Sequence, residues 1–287
     1  MSENSTETIS ENTAPPRLKK KGGNAVFRKI FEFFKTRRIY LLAFFVPGIL
    51  LLIAYFCFGV YPFGDESVLV LDLNGQYVYY YEHLRDILRG DASPFISWSR
   101  NLTGEFLGIF AYYLASPFVL IVMLLPRSII TESLLIMQLC KVGTAGITFC
   151  FYLQKSRKAQ PKTALLFSVM YALMAYMIVQ LMNPMWLDGL IYLPLIARGI
   201  EKIINENKML YFIIPLSLMF MANFYIGWML AFFSVLYFLY YYFSAGEKGI
   251  HFKSFMISGL KFALGGILSA ACAAWILLPL YHSLQLG

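Results

Sequence analysis

Charged side chains are scarce in this sequence. Only 14% of its 287 residues are Asp, Glu, Lys or Arg, about half of the roughly 25% found in an average soluble domain. Hydrophobic residues make up 59% of the chain and form runs of about 18 residues or more, the length of a membrane-spanning helix. This composition excludes a soluble enzyme, a DNA-binding domain and a disordered protein. It predicts an all-α fold, a polytopic transmembrane helical bundle.

The residues that build metal sites and catalytic triads are also few. The sequence has four Cys and three His. The cysteines lie inside or at the ends of apolar runs without metal-ligand spacing, and we expect no disulfide framework. The histidines stand alone, and the sequence contains no triad, P-loop or zinc motif. No metal site is therefore assigned from Cys or His, and a divalent cation is left open as a cofactor.

Positive charge is concentrated in an N-terminal tail and in short loops beside apolar runs. The net charge is +8, but this placement follows the positive-inside rule, and we expect a lipid bilayer and no nucleic acid as the partner. Residues 1–16 are polar and are expected to be disordered. Residues 17–38 are basic with apolar residues at helical spacing, which predicts an amphipathic helix on the cytoplasmic leaflet. The N-terminus is therefore expected in the cytoplasm.

The rest of the chain, 39–287, is expected to be the membrane domain. Residues 61–131 are predicted to form an outer loop with juxtamembrane and re-entrant segments. If 105–125 crossed the membrane, all three later basic loops would face outside, so we expect it to lie at the outer interface or to re-enter. Because the chain stops soon after the last span, we expect a fragment of a longer protein. The predicted spans are about 39–60, 132–153, 163–182, 187–204, 208–222, 225–243 and 257–279.

The polar stretch after the first span contains the acidic residues best placed for chemistry at the membrane surface. Asp72 begins a predicted amphipathic helix that runs to Arg89. Asp72 is interpreted either as the N-cap of this helix or as a general base, with Asp65 as helper or metal ligand. Arg85 is a candidate phosphate contact, although a water-facing position on the helix is the alternative.

Further candidates lie in and between the later spans. Lys141 is near the middle of a span, where a charge costs roughly 2.5–3.5 kcal/mol, so we expect it to face the bundle interior and meet either an acid or a lipid phosphate. Asp188 is interpreted as a second acidic partner or as a carboxylate in headgroup water. Aromatic residues near the ends of spans either stack on sugar or form an interfacial belt. The remaining substrate-binding candidates are Asn183, Trp186, Asn223 and Tyr225.

Several separated motifs resemble the YfhO family of bacterial membrane proteins. They are the run 65–77, Ala111-Tyr112-Tyr113-Leu114-Ala115-Ser116-Pro117-Phe118, Asn183-Pro184-Met185-Trp186-Leu187-Asp188, Asn223-Phe224-Tyr225-Ile226-Gly227-Trp228 and Leu277-Leu278-Pro279-Leu280. The resemblance begins at about Ile39, and that family is similar to the GT-C superfamily of integral-membrane glycosyltransferases. It implies a multi-pass protein of the bacterial cell membrane that transfers a sugar from a polyprenyl-phosphate carrier to a teichoic acid-like acceptor such as lipoteichoic acid. It also implies a membrane partner that makes the lipid-linked sugar.

Two other function classes remain open at this point. A transporter or flippase for lipid-linked cell-wall precursors would favour paired broken helices at the bilayer midplane and an internal repeat, and no repeat is visible. A noncatalytic scaffold that positions a partner enzyme is the other alternative. The clustering of acidic residues at the predicted outer surface favours the transferase.

Overall fold

The computed structural model describes residues 23–97, 104–244 and 251–286, apart from the side chains of residues 23–36, Leu284 and Leu286. The predicted disordered tail lies outside these residues, and so do residues 17–22 of the predicted amphipathic helix and the side chains of its residues 23–36. The described chain is almost entirely helical. Its α-helices are α1 (Gly23–Cys57), α2 (Val78–Arg89), α3 (Leu107–Ile109), α4 (Val119–Leu124), α5 (Ile130–Ser156), α6 (Pro161–Ala172), α7 (Ala175–Val179), α8 (Leu187–Glu206), α9 (Leu210–Ala222), α10 (Phe224–Ser244), α11 (Phe252–Cys272) and α12 (Ala274–Leu286).

Five stretches of the described chain are helical, long and apolar enough to cross a membrane. They are Arg37–Cys57, Arg127–Ser156, Pro161–Met182, Phe224–Ser244 and Phe252–Cys272. The predicted spans 187–204 and 208–222 correspond to α8 and α9. These two are not in the set, since α8 carries several charged residues and α9 has only 13 residues. The chain is thus an all-α polytopic membrane protein, while the arrangement with seven spans stays a prediction.

Contacts between α5, α8 and α10 define two ends of the bundle. Lys141 meets Asp188 near the start of α8, whereas Tyr152 lies near Glu201 towards the end of α8, so α5 and α8 run parallel. Tyr237 of α10 joins the second group. We call the end that contacts residues 58–129 the loop side, and the opposite end, with its Arg and Lys residues, the basic side.

Residues 58–129, which we call the loop segment, form an apolar core together with the first turns of α5. Leu134 and Met137 of α5 are fully buried against Tyr81 of α2 and Val122 of α4. The segment also contains a two-stranded antiparallel hairpin, β1 (Ile96–Ser97) and β2 (Gly104–Glu105), which the sequence analysis did not predict. This core fixes the loop segment to the start of α5.

The predicted re-entrant segment 105–125 is built of short helical pieces. α3 has three residues and is followed directly by a five-residue π-helical turn, Phe110–Leu114. A break at Ala115–Pro117 then separates this turn from α4, which has six residues. A span needs about 20 helical residues, so no single helix of this segment is long enough to cross a bilayer.

Two predicted spans contain a local break in the helix, which the sequence did not indicate. The span predicted at 163–182 is interrupted between α6 and α7, at residues 173–174. The span predicted at 257–279 is interrupted at Ala273, which separates α11 from α12. Ala273 is fully buried, and the turn lets Ile276 and Leu280 of α12 pack on Ala111 of the loop segment. The turn itself contains no Gly or Pro that would explain this second interruption. Its physical reason is the packing of α12 against the loop segment.

Candidate active site at the junction of loop and bundle

A buried lysine marks the junction between the loop segment and the bundle. The ammonium group of Lys141 donates to Asp188 Oδ2 at 2.5 Å, to Pro184 O at 2.9 Å and to Ser116 Oγ at 3.0 Å. Ser116 in turn donates to Asp188 Oδ1 at 3.0 Å. We call Ser116, Lys141, Pro184 and Asp188 the loop-side cluster. An ammonium has three N–H groups, and all three are used here.

Of the two roles expected for Lys141, the structure shows the ion pair with an acid. Because no N–H of the ammonium is left for a phosphate, the phosphate contact does not fit this arrangement. Asp188 is also not a carboxylate in headgroup water, since it is 0% exposed. The early turns of α5 belong to the loop-side core, so Lys141 lies where that core meets the bundle. It has protein acceptors there, which a lipid-facing lysine would lack.

Asp72 and Asn183 are connected through Tyr77. The Tyr77 hydroxyl lies 2.9 Å from Asn183 Oδ1 and 3.4 Å from Asp72 Oδ2. Burial, together with the charge of Asp72, raises the pKa of Tyr77, which keeps this hydroxyl protonated as a donor. Asp72 precedes a π-helical turn, Leu73–Tyr77, but its side chain makes no capping hydrogen bond. Asp72 therefore occupies the N-cap position without capping the helix through its side chain, and it is exposed at the junction.

A group of aromatic rings lies beside this carboxylate. The ring of Tyr113 lies 5.0 Å from that of Tyr77 and 5.2 Å from that of Tyr80, measured between centroids. Tyr112 is 4.6 Å from Tyr113. Tyr77 and the Tyr112–Tyr113 pair each belong to a π-helical turn, a rare form that is often found at functional sites. We call Tyr77, Tyr80, Tyr112 and Tyr113 the tyrosine cluster.

The other candidates from the later spans meet the tyrosine cluster at Tyr112. Trp186 Nε1 donates to Tyr112 Oη at 3.2 Å, and Asn223 Nδ2 donates to Tyr112 O at 2.8 Å. Asn223 Oδ1 also accepts from the backbone N–H of Ile226 at 2.8 Å and so caps the start of α10. The Tyr225 ring is 6.1 Å from that of Tyr112 and is half exposed. The junction thus assembles Asp72, Asn183, Trp186, Asn223 and Tyr225.

Of the two interpretations of Arg85, the water-facing position on α2 is wrong, and the phosphate contact stays a prediction. Its side chain is 3% exposed and Nη2 donates to Val122 O at 2.5 Å. It shares the inward face of α2 with Val78 and Tyr81, as the helical repeat requires, while Leu88 is 65% exposed. Within the described chain, the buried Nε and Nη1 atoms of Arg85 have no hydrogen-bond partner.

A divalent cation stays an open prediction, and the described residues provide no ready-made set of protein ligands for one. No group of three or more His, Cys, Asp or Glu side chains in this part of the chain is arranged to hold a metal ion. Asp65, the predicted helper of Asp72, is exposed in the loop after α1. We therefore assign no chemical step to a metal.

Sequence reasoning did not assign Tyr77, Ser116 or Gln138 to the site. From the sequence, Tyr77 and Ser116 lie within family motifs, the run 65–77 and the run 111–118, and neither is given a role of its own. Gln138 donates to Leu181 O at 2.8 Å, about one turn before Lys141. Gln138 lies on the face of α5 that carries Lys141, and a polar residue three positions from a buried lysine is the signal that would have found it.

Comparison with known proteins identifies a family. Residues 43–286 match the family model described as bacterial membrane protein YfhO. No curated protein and no solved structure matches the chain. The match covers most of the chain, including every element of the junction, and this protein belongs to the YfhO family of bacterial membrane proteins.

Proposed function

We propose that the protein is a membrane glycosyltransferase that moves a sugar from a polyprenyl-phosphate carrier to a cell-wall polymer such as lipoteichoic acid. The observation that carries this proposal is the exposed carboxylate of Asp72, which borders the tyrosine cluster and is not used as a helix cap. A base at the edge of a set of aromatic rings and amide groups suits a reaction between a sugar and a hydroxyl group.

The proposed reaction forms one bond and breaks one. The acceptor hydroxyl oxygen attacks the anomeric carbon of the sugar as the bond from that carbon to the phosphate oxygen of the carrier breaks. Asp72 takes the hydroxyl proton, a step that contributes typically about 10²–10⁴-fold to such reactions. The departing polyprenyl phosphate carries the electron pair of the broken bond. The donors of Arg85 that lack a protein partner are the proposed counter-charge for it.

Tyr77 has a positioning role in this proposal. Its hydroxyl touches both Asp72 and Asn183, so it ties the base to the segment that begins α8. The half-exposed ring of Tyr225 and the partly buried Trp186 and Tyr112 supply flat apolar faces for a sugar ring. Asp65, on the exposed loop, is the second choice for the base.

The deciding experiment replaces Asp72 with Asn in the bacterial host, with Asp91→Asn as the matched control. Asp91 is an exposed acid of the same loop segment, beyond the end of α2. The sugar content of the surface polymer is measured by mass spectrometry, and the level of each variant in the membrane by immunoblot. We expect Asp72→Asn to remove the sugar at normal protein level and Asp91→Asn to leave it unchanged.

Three other outcomes would contradict this proposal in distinguishable ways. Unchanged glycosylation in Asp72→Asn would exclude Asp72 as the base and move the role to Asp65. If gene deletion removes the sugar but both Asp72→Asn and Asp65→Asn keep it, the noncatalytic scaffold is favoured. If gene deletion leaves every surface glycan intact, the transferase fails and the transporter becomes the better hypothesis.

A further inference from the structure

A groove lies on the surface of the bundle towards the basic side, and none of its lining residues belongs to the tyrosine cluster. It is bounded by α5, α8 and α9 and has a volume of about 460 Å³. Its walls are apolar side chains, among them Phe151, Leu195, Ile214 and Leu218. Pockets for small molecules and cofactors typically have volumes of ~300–1,000 Å³, so this groove is large enough for part of a lipid.

One wall of the groove carries a cation. The Arg198 guanidinium lies 5.3 Å from the centre of the Phe151 ring, and Nη1 donates to Ser156 Oγ at 3.1 Å. The Nε atom of Arg198 is buried and has no hydrogen-bond partner in the described part of the chain. A bond to one serine uses only one of the five N–H groups of a guanidinium.

Arg198 differs from its basic-side neighbours in having no acidic partner among the described residues. Arg157 pairs with Glu201 at 3.1 Å, and Lys202 pairs with Glu206. Arg198 shows no such pair, although burying a cation is costly unless an anion compensates it. The groove therefore combines an apolar channel with an uncompensated positive charge on its wall.

The position of the groove within the bundle identifies the ligand chemistry. Leu210, Tyr211 and Ile214, which line it, are 50–65% exposed on the face that a membrane-spanning bundle presents to lipid. Lys202 Nζ lies 5.7 Å from the Tyr211 ring and adds positive charge nearby. Basic groups at the ends of spans attract anionic headgroups, and a bidentate phosphate contact suits a guanidinium.

We propose that this groove binds an anionic phospholipid of the surrounding bilayer. One acyl chain lies along Leu195, Ile214 and Leu218, and the phosphate group meets Arg198. The site is separate from the junction that carries Asp72 and does not depend on the proposed transferase. It holds a structural lipid against α5, α8 and α9.

The test is native mass spectrometry of the purified full chain, titrated with phosphatidylglycerol and, in parallel, with phosphatidylcholine. We expect the chain to retain phosphatidylglycerol in preference to phosphatidylcholine. Arg198→Ala removes the headgroup contact and is expected to weaken phosphatidylglycerol binding about tenfold or more. Leu218→Trp fills the groove while keeping Arg198, and it is expected to reduce binding to a similar extent.

Lys162→Ala is the matched control, because Lys162 is an exposed cation in the first turn of α6 on the same side of the bundle. It removes the same charge outside the groove, and binding should stay within twofold of the wild type. Thermal unfolding of each variant shows whether the fold is intact. The variant Arg198→Lys, which keeps the positive charge, helps to separate loss of the site from loss of the fold. Equal binding of phosphatidylcholine, or unchanged binding in both Arg198→Ala and Leu218→Trp, would overturn the proposal. Retention of polyprenyl phosphate in place of phosphatidylglycerol would also overturn it, in favour of the carrier lipid.

Discussion

Two charged clusters are built on the same pair of helices, α5 and α8, and they differ in their access to water. In the loop-side cluster the side chains of Lys141 and Asp188 are 1% and 0% exposed. The other cluster, which we call the basic-side cluster, consists of Tyr152, Arg157, Glu201 and Tyr237. Its Arg157 is 39% exposed and its Glu201 is 6% exposed. Lys141 and Arg157 are sixteen positions apart along the chain, about 24 Å at 1.5 Å per residue of helix.

The difference in exposure goes with a difference in hydrogen bonding. Each N–H of the Lys141 ammonium has a protein acceptor. Arg157 Nη2 meets Tyr152 Oη at 2.6 Å and Tyr237 Oη at 2.8 Å, and the rest of the guanidinium can reach water. A buried charge must find every partner within the protein, whereas a half-exposed one can be completed by solvent. The loop-side cluster should therefore be the more sensitive to any missing partner.

The clusters also join different parts of the molecule. Ser116 belongs to the loop segment, so the loop-side cluster ties that segment to α5 and α8. Tyr237 belongs to α10, so the basic-side cluster ties three helices of the bundle together. Damage to the first should loosen the proposed active site, and damage to the second should not.

The largest effect is expected from Lys141→Met, which tests whether the loop-side cluster is a true ion pair. The variant leaves the Asp188 carboxylate buried without a cation, which should lower the free energy of unfolding by about 3–5 kcal/mol. Denaturation in detergent micelles, followed by tryptophan fluorescence, measures this loss.

The double variant Lys141→Met/Asp188→Asn is the control for that loss. It removes both charges, so it should be more stable than Lys141→Met alone. If the double variant is no more stable than the single one, the two side chains are not coupled and the comparison between the clusters fails.

Ser116→Ala should have the second largest effect, because it removes the contribution of the loop segment to the same cluster. Lys141 loses one acceptor and Asp188 loses one donor at a site where both side chains are buried. The expected loss is about 1–3 kcal/mol. Ser234→Ala is the matched control, since Ser234 is equally buried but donates only to Leu230 O of its own helix, at 2.7 Å. Equal losses in the two variants would show that Ser116 does not join loop to bundle.

Tyr237→Phe tests the basic-side cluster and should cost less. It removes a hydroxyl that lies 2.7 Å from Glu201 Oε1 and 2.8 Å from Arg157 Nη2. We expect a loss of about 1 kcal/mol, because water can replace part of this contact. Tyr240→Phe, an exposed tyrosine on the same helix, should change stability very little. A loss in Tyr237→Phe as large as in Lys141→Met would remove the distinction between the clusters.

The sequence predicted the class of fold because the length of an apolar run is a local property. The order of the helices and the position of the polar stretch that contains Asp72 were also predicted from the lengths of apolar and polar runs. Helical periodicity places Arg85 on one face of α2. Its charge alone suggests that this face points to water. The structure shows that the neighbours Val78 and Tyr81 decide the direction of this face.

Pairing between distant residues could not be predicted in the same way. Lys141 and Asp188 are 47 positions apart, and a lone sequence does not state which helices pack together. The interruption at Ala273 has no Gly or Pro to mark it and follows from the packing of α12 on Ala111. Contacts of this kind depend on the completed fold, and they are the ones that place Tyr77, Ser116 and Gln138 at the junction.

The smallest expected effect belongs to a surface group of charges, in which the side chains of Glu206 and Lys208 are 38% and 55% exposed. Glu206 lies at the basic side and pairs with Lys202 and with Lys208, the latter at 2.9 Å. Hydrogen bonds from both lysines lower the pKa of Glu206 from 4.5 to about 2. Because the folded pKa is depressed, the stabilisation is complete above pH 4.5 and is lost as the pH falls towards 2. We therefore expect the wild type to unfold at a slightly higher temperature than Glu206→Gln at pH 7, and most of this difference to be gone at pH 2. Added salt should shrink the difference at pH 7, and a difference that persists unchanged at pH 2 would show that the charge of Glu206 is not its cause.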